Sequence, residues 1–372
     1  MLNEHADFTK PIAILGAGNG GCAMAGDLSL RGYKVNLFEH PDYSELFMNE
    51  LADRKMHVND YSREQVATLN VVTTDLEEAI TDAKIINLVV PSTVQKIYFE
   101  RMAEAVSNNQ LLVIWAGRFG SLDLIKILAD KQIPQKFTIA EVDTLPYGAR
   151  KKDYKNVTIL YTSRRLYVST IPSGQRDKAF SLLSILYNDV KSLENVLVVA
   201  FSNPAIVVFG IGALLNAARI QHMQGKFYLF SEGITDAVAN VMFEAYREMK
   251  AVANAFDFNI PEYSRKDFNG PTSLEGLCFK SPEGEKGFMK MYGPSTITGR
   301  YMMENIGDGL VPIMELGKLA GIDTSVINSV ITIGAIMCNT DFRIHGRNLK
   351  KLGLEGKNIE QVLRVVRYGL HG

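Results

Sequence analysis

Six residues restrict this chain more than any others. Gly16-Ala17-Gly18-Asn19-Gly20-Gly21 lies directly after the apolar run Ile12-Ala13-Ile14-Leu15 and directly before Cys22-Ala23-Met24-Ala25-Gly26. An apolar β-rich run, a tight glycine turn and a helix of small residues read as the opening strand–helix unit of a parallel sheet. Gly16 permits the turn, Gly18 lets the backbone approach a pyrophosphate, and Gly21 lets the helix sit close on its strand. The free N–H groups where the helix starts, around Asn19 and Gly20, would face the anion. The loop therefore predicts a dinucleotide site.

Glu39 strengthens that reading, because it follows the next strand pattern, Val35-Asn36-Leu37-Phe38. A carboxylate there bonds both ribose hydroxyls and repels a 2′-phosphate. NAD(H) is thus favoured, with NADP(H) left open if Arg31 or Lys34 tolerates the phosphate. Val89-Val90-Pro91-Ser92-Thr93 ends a further strand pattern, so Pro91 and Ser92 join the expected cofactor set, a plain turn being the alternative.

The 372 residues exceed what one core usually supports, and two domains are expected. Residues 1–190 alternate β-branched runs (11–15, 34–38, 85–90, 111–115, 138–141) with helical patterns (20–30, 44–53, 94–106, 122–131), the mark of a doubly wound α/β Rossmann domain. Further extended segments at 156–171 and a helix at 175–187 close it. Residues 191–372 show helical periodicity at 204–222, 233–256, 301–320 and 325–337, which predicts an all-α second domain. Residues 261–294, rich in Gly, Pro, Ser and charge, are expected to be an irregular excursion.

Forty basic against forty-one acidic residues leave a net charge of −1, so nucleic acid and membrane are not expected as partners. The longest apolar stretches, 196–201 and 205–215, fall short singly of a spanning helix. No signal sequence is visible, and Cys22, Cys278 and Cys338 are too few and too scattered for a disulfide framework or a metal site. A cytoplasmic protein follows, with a homodimer possible.

Several motifs, in their order, resemble the octopine/opine dehydrogenase family. They are the glycine loop, Thr144-Leu145-Pro146-Tyr147 with Arg150, Leu214-Leu215-Asn216-Ala217-Ala218-Arg219, and Glu232-Gly233-Ile234-Thr235. Arg300-Tyr301-Met302-Met303-Glu304, Gly309-Leu310-Val311-Pro312, Thr340-Asp341-Phe342, Gly346-Arg347 and Leu352-Gly353-Leu354 follow. The resemblance covers nearly the whole chain. It implies a Rossmann domain followed by a helical one, a small carboxylate-bearing substrate in the cleft between them, and reductive joining of an amino acid or amine to a 2-oxo acid through an imine.

It also implies a catalytic histidine seven residues before Asn216 and an aspartate five residues after Arg300. Those positions hold Phe209 and Asn305. Hydride transfer to a neutral carbonyl needs a proton donor worth about 10²- to 10⁴-fold, whereas a preformed iminium already carries its proton. Three readings stay open: an imine reductase without the dyad, a non-catalytic dinucleotide-binding sensor, and a dehydrogenase of another hydroxy or oxo acid.

The resemblance implies that Arg300 anchors a carboxylate, a surface pair with Glu304 being the alternative. Tyr301 is a weak candidate donor, and Glu141, Tyr147, Arg150 and Asn216 are candidate substrate contacts. His222 and His345 are remote candidates for a replacement imidazole.

Overall fold

In a computed structural model that describes residues 9–60, 63–269, 278–280 and 290–370, the expected strand–helix alternation becomes an eight-stranded twisted sheet. Its first strands are β1 (Ile12–Leu15) and β2 (Val35–Phe38). After β3 (Lys55–Asn59) and β4 (Glu64–Thr68), which belong to a second sheet, the main sheet continues with β5 (Val71–Thr73), β6 (Ile85–Leu88), β7 (Leu111–Trp115) and β8 (Thr138–Val142). The parallel run is ordered β5-β2-β1-β6-β7-β8. The strand order therefore reverses between β1 and β6, and the crevice beyond their carboxyl ends is where open α/β sheets take ligands.

Strict alternation divides the strands between two cores. Ile12 and Ile14 face one, Ala13 and Leu15 the other. Helix α1 (Asn19–Leu30) packs in the first; after the short α2 (Ser44–Glu50) and α3 (Leu76–Ile80), α4 (Ser92–Ala105) and α5 (Gly120–Asp130) pack in the second. Covering on both faces is what lets β1, β6, β7 and β8 be buried along their whole length.

A second sheet was not legible in the sequence. Strands β3 and β4 form an antiparallel hairpin, β10 (Asn156–Ser163) pairs with β3, and β9 (Tyr147–Lys151) and β13 (Phe279–Lys280) flank β10. This sheet lies over α1, so closely that a Cβ on Gly26 would come within 2.4 Å of the Val58 side chain. Strand β11 (Leu166–Ile171) and the short β12 (Val190–Ser192) complete the main sheet, β11 running antiparallel to β8.

Beyond β12, the only described strand is the two-residue β13. The expected helix 204–222 is two, Ala205–Leu215 and Ala217–Met223, because Asn216 breaks the run and spends its amide on the carbonyls of Gly212 and Gly233. The expected helix 301–320 is likewise divided. After one turn, Arg300–Met302, a π-helical stretch Met303–Leu310 intervenes before the α-helix Val311–Ala320. Gly309 permits its close approach to Ile206, which a Cβ would meet at 2.7 Å.

Taken together, Val196–Leu215 is long and apolar enough to cross a membrane, but 89% of that window is buried inside the fold. The expected excursion at 261–294 lies partly outside the described residues, at 270–277 and 281–289.

One apolar core runs without interruption from the sheet into the helices. Arg347 adds a polar strut across that junction. Arg347, 3% exposed, donates to the carbonyls of Gly117 and Arg118 (both 2.7 Å) and to Gln95 Oε1 (2.7 Å), and pairs with Asp123 at 3.3 Å. Gly346 before it must be glycine, because a Cβ would sit 2.2 Å from the Gly307 carbonyl oxygen.

Breaking a buried pair by removing one partner typically costs about 3–5 kcal/mol. Arg347→Ala is therefore expected to lower the unfolding free energy in urea by about that much, with Arg347→Lys recovering only part of it, since an ammonium lacks the guanidinium fork. An alanine variant as stable as the parent would remove the strut role.

Candidate active site

A cleft of about 420 Å³ opens at the carboxyl ends of β1, β6, β7 and β8. Gly18, Asn19 and Gly20 form one wall, and Val89, Val90 and Pro91 the next. Trp115 ends β7, Arg118 comes from the turn after it, and Phe209, Arg300, Tyr301, Glu304 and Asn305 come from the helical half.

The glycine loop has the shape a dinucleotide needs. Gly16 is left-handed at φ +101°, and a Cβ there would meet Val90 at 2.4 Å; on Gly21 it would sit 1.8 Å from the Gly16 carbonyl oxygen. A Cβ on Gly18 would have nothing within 4 Å, so at this position the loop faces open space. Glu39, 7% exposed, is not turned to solvent. It accepts from the amides of Ala17 (3.0 Å) and His40 (2.8 Å) and from the Tyr98 hydroxyl (3.3 Å). Burial, with Glu39 beside it, pushes the Tyr98 phenol well up and keeps it a donor.

Strand β9 braces the loop from above. The Lys151 amide donates to Asn19 Oδ1 (2.9 Å) and its ammonium to the Ala17 carbonyl (3.0 Å). Sequence reasoning missed Lys151, since β9 belongs to the unforeseen sheet.

The turn after β7 holds three non-glycine residues at positive φ: Ala116 (49°), Arg118 (49°) and Phe119 (67°). Such conformations persist only where the surroundings fix them. Glu141 does so from below, accepting from the amides of Phe119 (2.7 Å) and Ser121 (2.9 Å) and from the Ser121 hydroxyl (2.5 Å), while Arg347 takes the carbonyls. Burial pushes the Glu141 carboxyl up against the pull of those bonds. Glu141 does not line the cleft, so the expected substrate contact is instead a support for the turn.

That support places Arg118, which no motif had singled out. Its guanidinium is buried, 3.4 Å from Glu304 and donating to Asn305 Oδ1 at 3.2 Å. Burial presses its pKa down, and Glu304 resists the shift. The available signal was an arginine between glycines at a strand end, Gly117-Arg118-Phe119-Gly120.

Glu304, 1% exposed, also accepts from Arg300 (3.2 Å) and from the Ser92 amide at the start of α4 (3.2 Å). Arg300 thus makes the helix pair weighed in the sequence and lines the cleft as well, its side chain 60% exposed. The Ser92 hydroxyl donates to Asp308 (2.7 Å), so its expected place beside the cofactor falls to Pro91 alone.

Phe209 and Asn305 come together. A Cβ on Gly210 would lie 3.1 Å from Asn305 Cβ, and the Phe209 ring packs 4.8 Å from Tyr301 and 6.0 Å from Phe230. The Asn305 amide donates to the Tyr301 carbonyl (2.9 Å).

Tyr147 lines the cleft, but its phenol donates to Asp27 (2.5 Å), and Asn216 stays at its helix joint away from the cleft. His222 and His345 are exposed and outside it. Burial pushes the Asp143 carboxyl up to about 6, with Arg165 at 3.0 Å opposing the shift. Among the described residues no cluster of His, Cys, Asp and Glu is placed to hold a metal.

Comparison with known proteins agrees with this architecture. Residues 192–338 match the family model for the NAD/NADP octopine/nopaline dehydrogenase alpha-helical domain, and residues 11–139 that for the NAD-dependent glycerol-3-phosphate dehydrogenase N-terminus. Opine dehydrogenase of Arthrobacter sp. (strain 1C) is 29% identical over 354 residues, covering 94% of this chain and 96% of that one. Protein ocs of Agrobacterium tumefaciens (strain Ach5) is 26% identical, covering 95% and 98%. An octopine dehydrogenase solved with NADH and pyruvate superposes with a TM-score of 0.70 at 20% identity, covering 95% and 98%. A yersinopine dehydrogenase with NADP+ bound gives 0.69 at 14%, covering 97% and 98%. With a Rossmann sheet, a helical second half that matches the octopine/nopaline dehydrogenase domain and a cleft between them, this chain is similar to the opine dehydrogenases over nearly its whole length.

Proposed function

We propose that the protein is an NAD(H)-preferring reductase that joins an amino acid to a 2-oxo acid, residues 1–190 serving the cofactor and 191–372 the substrate. The observation that carries this reading is the charge of the cleft. Arg118, Arg150 and Arg300 line it against Glu304 and Asp143, and Asp143 is already paired with Arg165. Two positive charges are left over, which suits a substrate with two carboxylates, one from each half of an opine.

The bound dinucleotide would supply a hydride. The chain's part is to hold and orient. The loop amides around Gly18, Asn19 and Gly20 suit the pyrophosphate, and Glu39 suits the ribose hydroxyls. Lys34 stands at the far end of β2, about 16 Å from Glu39 at a rise of about 3.3 Å per residue, and Arg31 is paired with Asp27 at 3.1 Å. Neither is placed to receive a 2′-phosphate, which supports NAD(H). Burial of Cys22, Cys278 and Cys338 without a disulfide fits a reducing cytoplasm.

Phe209 and Asn305 favour a second reading, a sensor that binds the dinucleotide and does no chemistry. NADH oxidation with a 2-oxo acid and an amino acid, offered separately and together, separates the two. Consumption only with both supports the reductase, and saturable NADH binding without consumption supports the sensor.

Charged hydrogen bonds are worth about 1.5–3 kcal/mol. Arg300→Ala and Arg118→Ala should therefore each raise KM for a carboxylate substrate by about 10- to 100-fold while leaving NADH affinity in place; unchanged KM values would remove the two-carboxylate argument. Glu39→Ser should shift the NADH-to-NADPH preference at least about tenfold toward NADPH, and an unchanged ratio would mean that Glu39 serves the loop alone.

A further inference from the structure

Resting on the opine-type reading, we infer that the species reduced in this cleft is an iminium formed before binding. It follows that the protein also reduces cyclic ketimine carboxylates, ring compounds whose C=N bond needs no partner amine. The faces of Phe209 and Tyr301 seat the cationic nitrogen, and an arginine holds the carboxylate.

The step balances without a proton. Hydride from the reduced nicotinamide dinucleotide forms the new C–H bond at the iminium carbon, and the C=N π pair withdraws to nitrogen as its lone pair. A cation and a hydride give a neutral secondary amine, and the dinucleotide is left oxidised. A neutral carbonyl would instead build negative charge on oxygen and need a donor at that point.

Where the resemblance implies the donor histidine, the protein has Phe209, whose ring lies 4.8 Å from that of Tyr301, both lining the cleft. Ring faces are negative and attract cations; they repel a developing oxyanion. The cleft's carboxylates and the Tyr147 phenol are committed elsewhere. Glu304 is held by Arg300, Arg118 and the Ser92 amide, Asp143 by Arg165 and the Tyr167 amide, and the Tyr147 phenol by Asp27.

Asn305 is fixed at both ends, its oxygen on Arg118 and its amide on the Tyr301 carbonyl. A carboxylate at 305 would set a second acid beside Arg118, which already shares Glu304 with Arg300; the amide adds no charge and leaves the net positive balance of that group to a ligand. Phe209 and Asn305 thus act in one direction: neither can relay a proton, and together they create seats for a cation beside an anion.

The test uses 1-pyrroline-2-carboxylate with NADH and no amine. NADH should be consumed, with kcat/KM rising as pH falls through the imine's own protonation. Deuterated NADH should slow the step, while deuterated solvent should leave it within a factor of about two. A solvent effect as large as the NADH effect would put a proton in flight and overturn the inference.

Binding is read without turnover from Trp115, the chain's one tryptophan, which lines the cleft with its indole N–H on Asn87 (2.8 Å). Phe209→Leu should weaken the ring iminium by about twofold to thirtyfold and leave cyclopent-1-ene-1-carboxylate, the same ring with carbon for nitrogen, bound as before. Equal loss for both ligands would reject the cation seat. Reduction of a 2-oxo acid with an amino acid but not of the cyclic ketimine would overturn this inference alone. Consumption of neither, with NADH bound, would overturn the opine-type reading along with it.

Discussion

The buried charges around the turn Ala116–Phe119 hold the rest of the site in place. A backbone with three left-handed non-glycine residues is held because its amides reach Glu141 below and its carbonyls reach Arg347 from the helical half. Removal of either partner would leave buried polar groups unpaired, which costs more than the bonds themselves contribute. The turn sets Arg118, Arg118 sets Asn305 and shares Glu304 with Arg300, and Glu304 reaches the first amide of α4. Positive charge in the cleft is thus a property of the junction between the two halves and belongs to neither alone.

Much of the main sheet was legible because its strands are buried on both faces and appear as unbroken apolar runs, such as Leu111–Trp115. The second sheet was not. Its strands β3 and β4 are half exposed, carry Lys55, His57, Asn59 and Glu64, and give up only Met56, Val58 and Ala67 to the core. Short strands of that kind resemble loop sequence until their partner α1 is in place. Periodicity likewise placed a helix near 301–320 but carried no sign that 303–310 would be π-helical, since the apolar spacing of Ile306 and Leu310 suits an ordinary turn equally well.

Among site residues, the glycine loop and Glu39 were readable because local geometry alone dictates their types. Arg118, Lys151 and Arg347 were harder to assign, because each acts through partners more than a hundred residues distant, Glu304, Asn19 and Gly117 respectively. Glu141 misled in the opposite sense. A carboxylate at a strand end is a fair candidate ligand group, yet here the strained turn beside it needed three donors answered, and the nearest acid answered them.

The brace that Lys151 and Asn19 make across the glycine loop has a consequence for how a cofactor arrives. Ordering a flexible loop on binding would subtract from affinity with every residue frozen. Here strand β9 has already frozen it, with Lys151 on the Ala17 carbonyl and Asn19 on the Lys151 amide. The entropic cost was met when the chain folded, so the pyrophosphate enters a finished cradle. A cofactor that docks without remodelling its seat also leaves without remodelling it, which frees turnover from any slow opening of the loop itself.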